Sequence, residues 1–247
     1  MGLAHSPRIV TDNLIQCFDA GNVKSYPGSG STWTDLGSRG INATINNSPT
    51  FSSNNNGLFV FDGSDESIGS NLDVSWNNTN SVTISFFVKP VSISDSDGNG
   101  GIIGKNPWEW QFMQNRTNLK FTYWDNTGNH SNGPTIHFSN FFTDLSFVNI
   151  AMVWNHLENS GNGAFTFYRN GTLFITDAAH GNPVNWTNAS VNVNRSDDYH
   201  IGGNIYSWGG IPSYFHGSIG NVMVYDKALT ATEVKQNFEA HKGRFGL

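Results

Sequence analysis

The stretch GSIGNVMVYDKALTATEVKQNF, residues 217–238, changes character after Tyr225. Up to this tyrosine the residues are small, apolar or β-branched, which favours a strand. After it, Thr230 and Glu233 have the spacing of a capping box, in which two side chains satisfy unpaired amides at the start of a helix. Val234 and Phe238 are four residues apart, so they share one face of that helix. The stretch therefore predicts a strand followed by a short helix.

The predicted helix is too short to be stable alone and must gain its stability by packing. We expect it to dock on the rest of the protein at a sheet edge or rim, where it ends the last strand. Residues 227–247 carry four Lys or Arg against two Glu. A small basic end on an acidic chain is typically solvated, so we expect this segment to be exposed.

The rest of the chain is a series of short strand-like runs separated by Gly, Asn, Pro and Asp, which is typical of an antiparallel sandwich. Apolar and polar residues alternate over residues 119–124, as expected for a strand with one buried face. Asn170 and Gly171 tolerate positive φ and predict a type I′ hairpin. The predicted strands are Leu14–Asp19, Leu58–Phe61, Val82–Val88, Gln111–Met113, Leu119–Trp124, Val148–Trp154, Ala164–Tyr168, Thr172–Thr176, Tyr199–Ile201 and Ser218–Tyr225.

Composition limits the classes of protein that fit. No linker divides the 247 residues, so we expect one domain, 1–247, with an N-terminal arm at about 1–12 and a C-terminal helix and tail at about 230–247. A net charge of −6 argues against nucleic-acid binding. No run approaches the ~20 apolar residues of a membrane span, so we expect no membrane insertion. The lone Cys17 predicts a buried thiol, and with no visible secretory signal we expect folding in the host cytoplasm.

Six segments together resemble the laminin-G-like, concanavalin-A-like jelly-roll domains. Residues 217–238 are similar to the family's carboxy-terminal signature, in which G-x-I-x-x-V-x-V-Y leads into A-L-S/T-x-x-E-V/I. FVFDGSDESI, VTISFFVKP, GIIGK, VNIAMVWN and FTFYRNGTLF precede it in the family's order. The resemblance implies an all-β fold, an antiparallel two-sheet β-sandwich of the jelly-roll type with a short C-terminal capping helix.

Both ends of the chain, LIQCFDAGNVKSYPGSGSTWTDL and AHKGRFGL, resemble proteins of tailed bacteriophages. The resemblance implies a non-catalytic virion structural protein, a decoration or adhesion module on the capsid surface, tail or fibre. It also implies localisation in the virion, other virion proteins as partners, a homo-oligomer, and host cell-surface glycan as a ligand. The alternatives are a carbohydrate-binding lectin or a polysaccharide-degrading enzyme on the same fold, or a structural spacer without a ligand.

The acidic residues do not have the pattern of a glycosidase. A retaining enzyme needs two carboxyl groups about 5–5.5 Å apart, which relatives place at alternating positions of one strand. None of the five glutamates has this spacing, although a pair from distant strands stays open. Glu109, between Trp108 and Trp110, is the glutamate whose surroundings most favour a shifted pKa. There is no nucleophile elbow, zinc-ligand spacing or phosphate loop. We therefore predict no catalytic residues.

Residues 95–106, DSDGNGGIIGKN, resemble a calcium loop. Asp95, Asp97 and Asn99 occupy its first, third and fifth positions, and a glycine follows at the sixth. Asn106 stands at the twelfth position, where a bidentate Glu is expected, so an ordinary polar turn is the alternative. Ca²⁺ is the one candidate cofactor, and the fold requires none.

Sandwiches of this type bind glycans with aromatic side chains and with Asn or Asp in loops. Trp and Tyr more often fill cores, which is the alternative for each candidate. The candidates for glycan contact are Trp108, Trp110, Trp124, Asp125, Tyr206 and Trp208.

Overall fold

The computed structural model describes residues 7–74, 79–93, 100–105, 110–123, 135–161, 163–174, 184–185, 199–203, 205–206 and 212–247. Within these residues the chain forms strands and one α-helix, α1 (Ala231–Phe245). The strands are β1 (Leu14–Asp19), β2 (Thr32–Trp33), β3 (Ala43–Asn46), β4 (Thr50–Ser52), β5 (Leu58–Asp62), β6 (Ser67–Ser70), β7 (Val82–Pro90), β8 (Gly100–Lys105), β9 (Trp110–Asn115), β10 (Asn118–Tyr123), β11 (Thr135–Phe138), β12 (Val148–Asn155), β13 (Ala164–Arg169), β14 (Thr172–Leu173), β15 (Val184–Asn185), β16 (Tyr199–Ile201), β17 (Ile205–Tyr206), β18 (Pro212–Ser213) and β19 (His216–Tyr225).

The strands form two antiparallel sheets, which confirms the predicted sandwich. The first sheet has the order β14-β13-β12-β7-β19-β5-β4, with β1 also paired to β19 and β15 to β13. The second has the order β11-β10-β9-β8-β16-β6-β3-β2, and β17 and β18 form a separate hairpin. In the described part of the chain, no helix has the length and apolar character needed to cross a bilayer.

One large apolar core fills the space between the sheets. Alternation along β7 places Ile84, Phe86 and Val88 in this core, and all three are completely buried. Each such side chain contributes about 1.5–3 kcal/mol by leaving water. The core also takes up aromatic rings from both sheets, including Phe18, Trp33, Phe59, Phe61, Trp110, Phe112, Phe121, Trp154, Phe165 and Tyr199.

Most of the predicted strands agree with the structure to within a few residues. The hairpin prediction is confirmed, since Asn170 and Gly171 have φ of 52° and 69° and join β13 to β14. Of the predicted strand Thr172–Thr176, Thr172 and Leu173 form β14 and pair with β13, and residues 175–176 lie outside the described ranges. Cys17 is buried as predicted, and desolvation raises the pKa of its thiol to about 12.

Helix α1 begins at the predicted capping box. The Thr230 hydroxyl accepts from the backbone N–H of Glu233 at 3.3 Å, and the Thr230 N–H donates to the Glu233 carboxylate at 2.8 Å. The expected position at a rim is wrong, because the helix lies across the outer face of the first sheet. Phe238 and Phe245 both pack on Phe87 of β7, whose side chain points outward from the sandwich.

The described part of the N-terminal arm, residues 7–12, lies on the same outer face, between α1 and β19. The Val10 N–H donates to the Asn237 side chain at 2.8 Å, and the Tyr225 hydroxyl donates to the Val10 carbonyl at 3.0 Å. Asn237 in turn donates to the Tyr225 hydroxyl at 3.0 Å. Buried hydrogen bonds thus hold the arm, helix and central strand together.

The expectation of a solvated basic end is wrong for Arg244, whose side chain is only 11% exposed. Its guanidinium forms an ion pair with Asp19 at the end of β1. It also donates to the carbonyls of Asn55 and Gly57, both at 2.6 Å. A planar guanidinium with several fixed donors suits this set of acceptors better than an ammonium would. Arg244 therefore anchors the end of α1 to the start of the fold.

We expect Arg244→Met to lower the free energy of unfolding by roughly 2–4 kcal/mol, because Asp19 loses its ion-pair partner and the carbonyls of Asn55 and Gly57 lose a donor. The matched control is Lys242→Met. Lys242 pairs with Glu239 at 2.6 Å, but the two side chains are 40% and 31% exposed, and such pairs contribute at most about 1 kcal/mol. Urea unfolding followed by circular dichroism measures both. Equal losses in the two variants would contradict the anchoring role.

Candidate functional site

A cleft of about 500 Å³ opens at one end of the sandwich. It lies where β1, β7 and β19 of the first sheet approach the segment that follows β6 in the second sheet. The floor is aliphatic and the rim is polar or charged. The floor residues are Ile15, Ile41, Leu72, Val74, Val82 and Val224, and the rim residues are Arg39, Asn71, Asp73, Asn80 and Asp226.

A buried carboxylate holds the β2–β3 connection against this cleft. Asp35, 7% exposed, accepts hydrogen bonds from the backbone N–H groups of Cys17 at 2.8 Å, Gly37 at 2.7 Å and Ile41 at 3.0 Å. The Arg39 N–H donates to the Ile15 carbonyl at 3.0 Å. These bonds fix the connection to β1, so Arg39 and Ile41 come to the cleft on a fixed backbone.

A buried ammonium lies beneath the rim. The Lys105 side chain is 1% exposed and forms an ion pair of 2.5 Å with Asp73, which is 60% exposed. Lys105 shares an inward-facing row with Tyr199 of β16 and Trp110 of β9. An unpaired charge is expensive to bury, so Asp73 compensates Lys105, and Lys105 fixes one oxygen of Asp73. The rim thereby gains a hydrogen-bond acceptor with a fixed orientation.

A hydrogen-bonded network closes the space between the sheets behind the floor. Gln16 of β1 donates to the Ile41 carbonyl and to the Ser70 hydroxyl, each at 2.9 Å. The Tyr199 hydroxyl donates to the Gln16 side-chain oxygen, and desolvation raises the pKa of this phenol. The phenol therefore stays neutral at ordinary pH, and the network joins the two sheets without a buried net charge.

The prediction that Trp110 contacts a glycan is wrong. Its side chain is completely buried, and its indole N–H donates to the Val74 carbonyl at 2.8 Å. The register of β9 places it beside Tyr199, with ring centroids 6.2 Å apart. Trp110 is therefore a core residue that supports the cleft floor from behind. Its position next to a loop in the sequence gave no sign of this.

The other predicted site residues lie in β17 or outside the described ranges. Tyr206 lies in β17, which pairs with β18. The residues outside the described ranges are Trp108, Glu109, Trp124, Asp125 and Trp208, together with the calcium candidates Asp95, Asp97 and Asn99. Among the described residues, no group of three or more His, Cys, Asp or Glu side chains could hold a metal ion.

The sequence reasoning missed the cleft. Three of its rim residues come shortly after the end of a strand, since Asn71 and Asp73 follow β6 and Asp226 follows β19. Polar residues just past strand ends are a signal for a site at the end of a sandwich. That signal is weak here, because most connections in this chain are rich in Asn and Asp.

The family of the chain follows from a comparison of its sequence with family models. Residues 62–235 match the Laminin_G_3 model, described as the concanavalin A-like lectin/glucanases superfamily. The chain belongs to this superfamily. A search of curated proteins found no match. Membership of this superfamily agrees with the all-β sandwich of the structure and with the resemblance to concanavalin-A-like domains seen in the sequence.

Solved structures show the same concanavalin A-like fold at low sequence identity. The chain is similar to the receptor-binding domain of botulinum neurotoxin type G, with a TM-score of 0.59, 16% identity, and coverage of 92% of this chain and 51% of that one. It is also similar to the binding domain of Paraclostridial mosquitocidal protein 1, with a TM-score of 0.64, 15% identity, and coverage of 92% of this chain and 52% of that one. A third similar structure is the ligand-binding domain of botulinum neurotoxin serotype D in complex with N-acetylneuraminic acid. Its TM-score is 0.65 at 13% identity, with coverage of 93% of this chain and 51% of that one. The chain spans about half the length of these structures, and the likeness shows the fold alone.

We expect Asp73→Asn to destabilise this concanavalin A-like domain by about 1–3 kcal/mol, although Asp73 lies on the surface, because the buried Lys105 loses its ion pair with Asp73. The control is Asp226→Asn on the same rim. Its carboxylate has no hydrogen bond or ion pair among the described residues, so the change should stay within about 0.5 kcal/mol. Urea unfolding measures both. A loss no larger in Asp73→Asn than in the control would contradict the role of the ion pair.

Proposed function

We propose that the chain is a non-catalytic carbohydrate-binding module that binds its glycan in the cleft. The observation that carries this is the cleft itself, in which polar and charged side chains surround an aliphatic floor. Its volume of about 500 Å³ lies within the usual range of about 300–1,000 Å³ for small-molecule sites. Sugars offer hydroxyl groups to such a rim and C–H surfaces to such a floor.

The comparisons support a carbohydrate ligand. The superfamily takes its description from lectins and glucanases, and one similar structure is a ligand-binding domain in complex with N-acetylneuraminic acid. A second similar structure is a botulinum neurotoxin binding domain in complex with SialylT.

The remaining candidates, Trp108, Trp124, Asp125, Tyr206 and Trp208, stay proposed glycan contacts. Asp95, Asp97 and Asn99 stay a proposed calcium site.

Binding fits the cleft better than hydrolysis does. Asp73 and Asp226 both line it, so the structure does bring two carboxylates to one cleft. A general acid on a glycosidase is typically a carboxyl group desolvated in an apolar pocket. Both aspartates are exposed, and Asp73 forms an ion pair with Lys105, so neither carboxyl group is desolvated in an apolar pocket. Such carboxylates suit hydrogen bonding to sugar hydroxyls.

We further propose that residues 1–247 act as one domain on a phage virion, as a capsid-surface, tail or fibre adhesion module. The resemblance of the two ends of the chain to tailed-phage proteins supports this role. Other virion proteins would be its partners, in a homo-oligomer, and the glycan would belong to the host cell surface. A lectin or polysaccharide-degrading enzyme outside a virion is the alternative.

Glycan-array binding tests the proposed site. We expect Ile41→Trp, which fills the cleft from its floor, to reduce the array signal at least tenfold while circular dichroism stays unchanged. The control is Leu173→Trp on the edge strand β14, 49% exposed and outside the cleft lining, which should bind like the native chain. Full binding by Ile41→Trp would exclude the cleft. Release of reducing sugar from a bound polysaccharide would instead favour the enzyme.

Mass spectrometry of purified phage particles tests the virion role. We expect peptides of this chain at a fixed ratio to the major capsid or tail proteins after the particles are washed in high salt. Particles from a phage that lacks the coding sequence are the control. Absence of the peptides from intact particles would overturn the virion role but leave glycan binding unaffected.

A further inference from the structure

Two charged groups of the cleft have no partner in the described part of the chain. No hydrogen bond or ion pair reaches the Arg39 guanidinium or the Asp226 carboxylate, and both side chains are exposed. By contrast, Lys105 and Asp73 neutralise each other, and Asp35 is satisfied by three amides. The cleft therefore presents one cation and one anion that are free to interact with a ligand.

We propose that the cleft selects an acidic sugar whose carboxylate is bound by Arg39. This inference rests on the proposed glycan-binding function and adds the ligand class. A guanidinium matches a carboxylate with two parallel N–H donors, and such charge-assisted pairs are about twice as strong as neutral hydrogen bonds. Neutral sugars offer only uncharged hydroxyl oxygens to these donors, so they gain no charge-assisted pair.

The backbone around Arg39 supports a recognition role. Its own N–H is bonded to the Ile15 carbonyl, and Ile41 two residues on is held by Asp35 and by Gln16. The side chain therefore extends from a segment fixed on both sides, beside the aliphatic floor. Little loop ordering is needed when a carboxylate binds, which favours affinity.

Asp226 is separated from Arg39 along β1. The Asp226 N–H donates to the Asn13 carbonyl, whereas Arg39 is bonded to Ile15, two residues further along the strand. The two free charges thus flank the cleft at different points. A sugar can direct its carboxylate to Arg39 and its hydroxyl groups to Asp226 and to the fixed oxygen of Asp73. The negative charge of Asp226 repels the carboxylate of an acidic sugar at longer range. Asp226 should therefore lower the affinity of the cleft for acidic sugars and raise it for neutral ones.

The test compares ligands that differ only in one group. Methyl β-glucuronide carries a carboxylate where methyl β-glucoside carries a hydroxymethyl group, and the glucuronamide is a neutral equivalent. The methyl glycoside of N-acetylneuraminic acid and its methyl ester form a second pair, so the two arms separate uronic from nonulosonic acids. Ligand-observed NMR titration of the full chain at low salt gives the dissociation constants. We expect at least one acid to bind at least about tenfold more tightly than its neutral partner.

Variants of Arg39 and Asp226 show which residue causes the preference for the acidic sugar. Arg39→Gln should bring the dissociation constants of the acid and its neutral partner close to each other, and Arg39→Lys should retain part of the preference for the acid. Asp226→Asn should raise affinity for the acid about two- to tenfold and lower it for the neutral sugar. Thermal melting checks that each variant is folded.

The outcomes separate this inference from the function on which it rests. Equal binding of acid and neutral sugar, or an unchanged preference in Arg39→Gln, would overturn the inference and leave glycan binding in place. Failure of these sugars together with an empty glycan array would overturn both. A preference that Arg39→Gln abolishes and that weakens as salt is raised would support the proposal.

Discussion

Strand β19 forms antiparallel ladders with β7 along one edge and with both β5 and β1 along the other. His216–Ile219 pair with β5, and Asn221–Tyr225 pair with β1. The partner changes where the register shifts between Ile219 and Asn221. Gly220 lies at this point, and a side chain there would meet the Phe245 ring at 2.4 Å. The glycine thus allows the end of α1 to pack directly over the irregularity, so the sheet, the arm and the helix all depend on one strand.

The two faces of the first sheet have different partners, and this places the cleft. Val222 and Val224 of β19 point into the sandwich, whereas Met223 and Tyr225 point outward beneath the arm and the helix. The outer face is therefore occupied by the protein's own segments. The described opening lies instead at the end of the sandwich, where β1 begins and β19 ends, beside the segment after β6. A scaffold held by its central strand thus carries a polar rim on short, fixed connections.

Local chemistry explains what the sequence could predict. The capping box at Thr230, the positive φ at Asn170 and the alternation along β7 each involve residues only a few positions apart. The features that were missed join distant residues. Arg244 meets Asp19 across 225 positions, and Lys105 meets Asp73 across 32. Trp110 was misassigned because its burial depends on the register of β9 against β8, and the cleft was missed because it needs segments from both sheets.

The pairing of Leu14 with Tyr225 has a consequence for biosynthesis. Strand β1 can pair with β19 only after the ribosome has made all the strands that lie between them in the sequence. Until then β1, β5 and β7 have open edges and exposed aromatic rings, the combination that makes nascent β-proteins aggregate. Such non-local topologies also fold slowly, in roughly milliseconds to seconds. The yield of native protein in a cell will therefore depend on how well chaperones protect the unfinished chain.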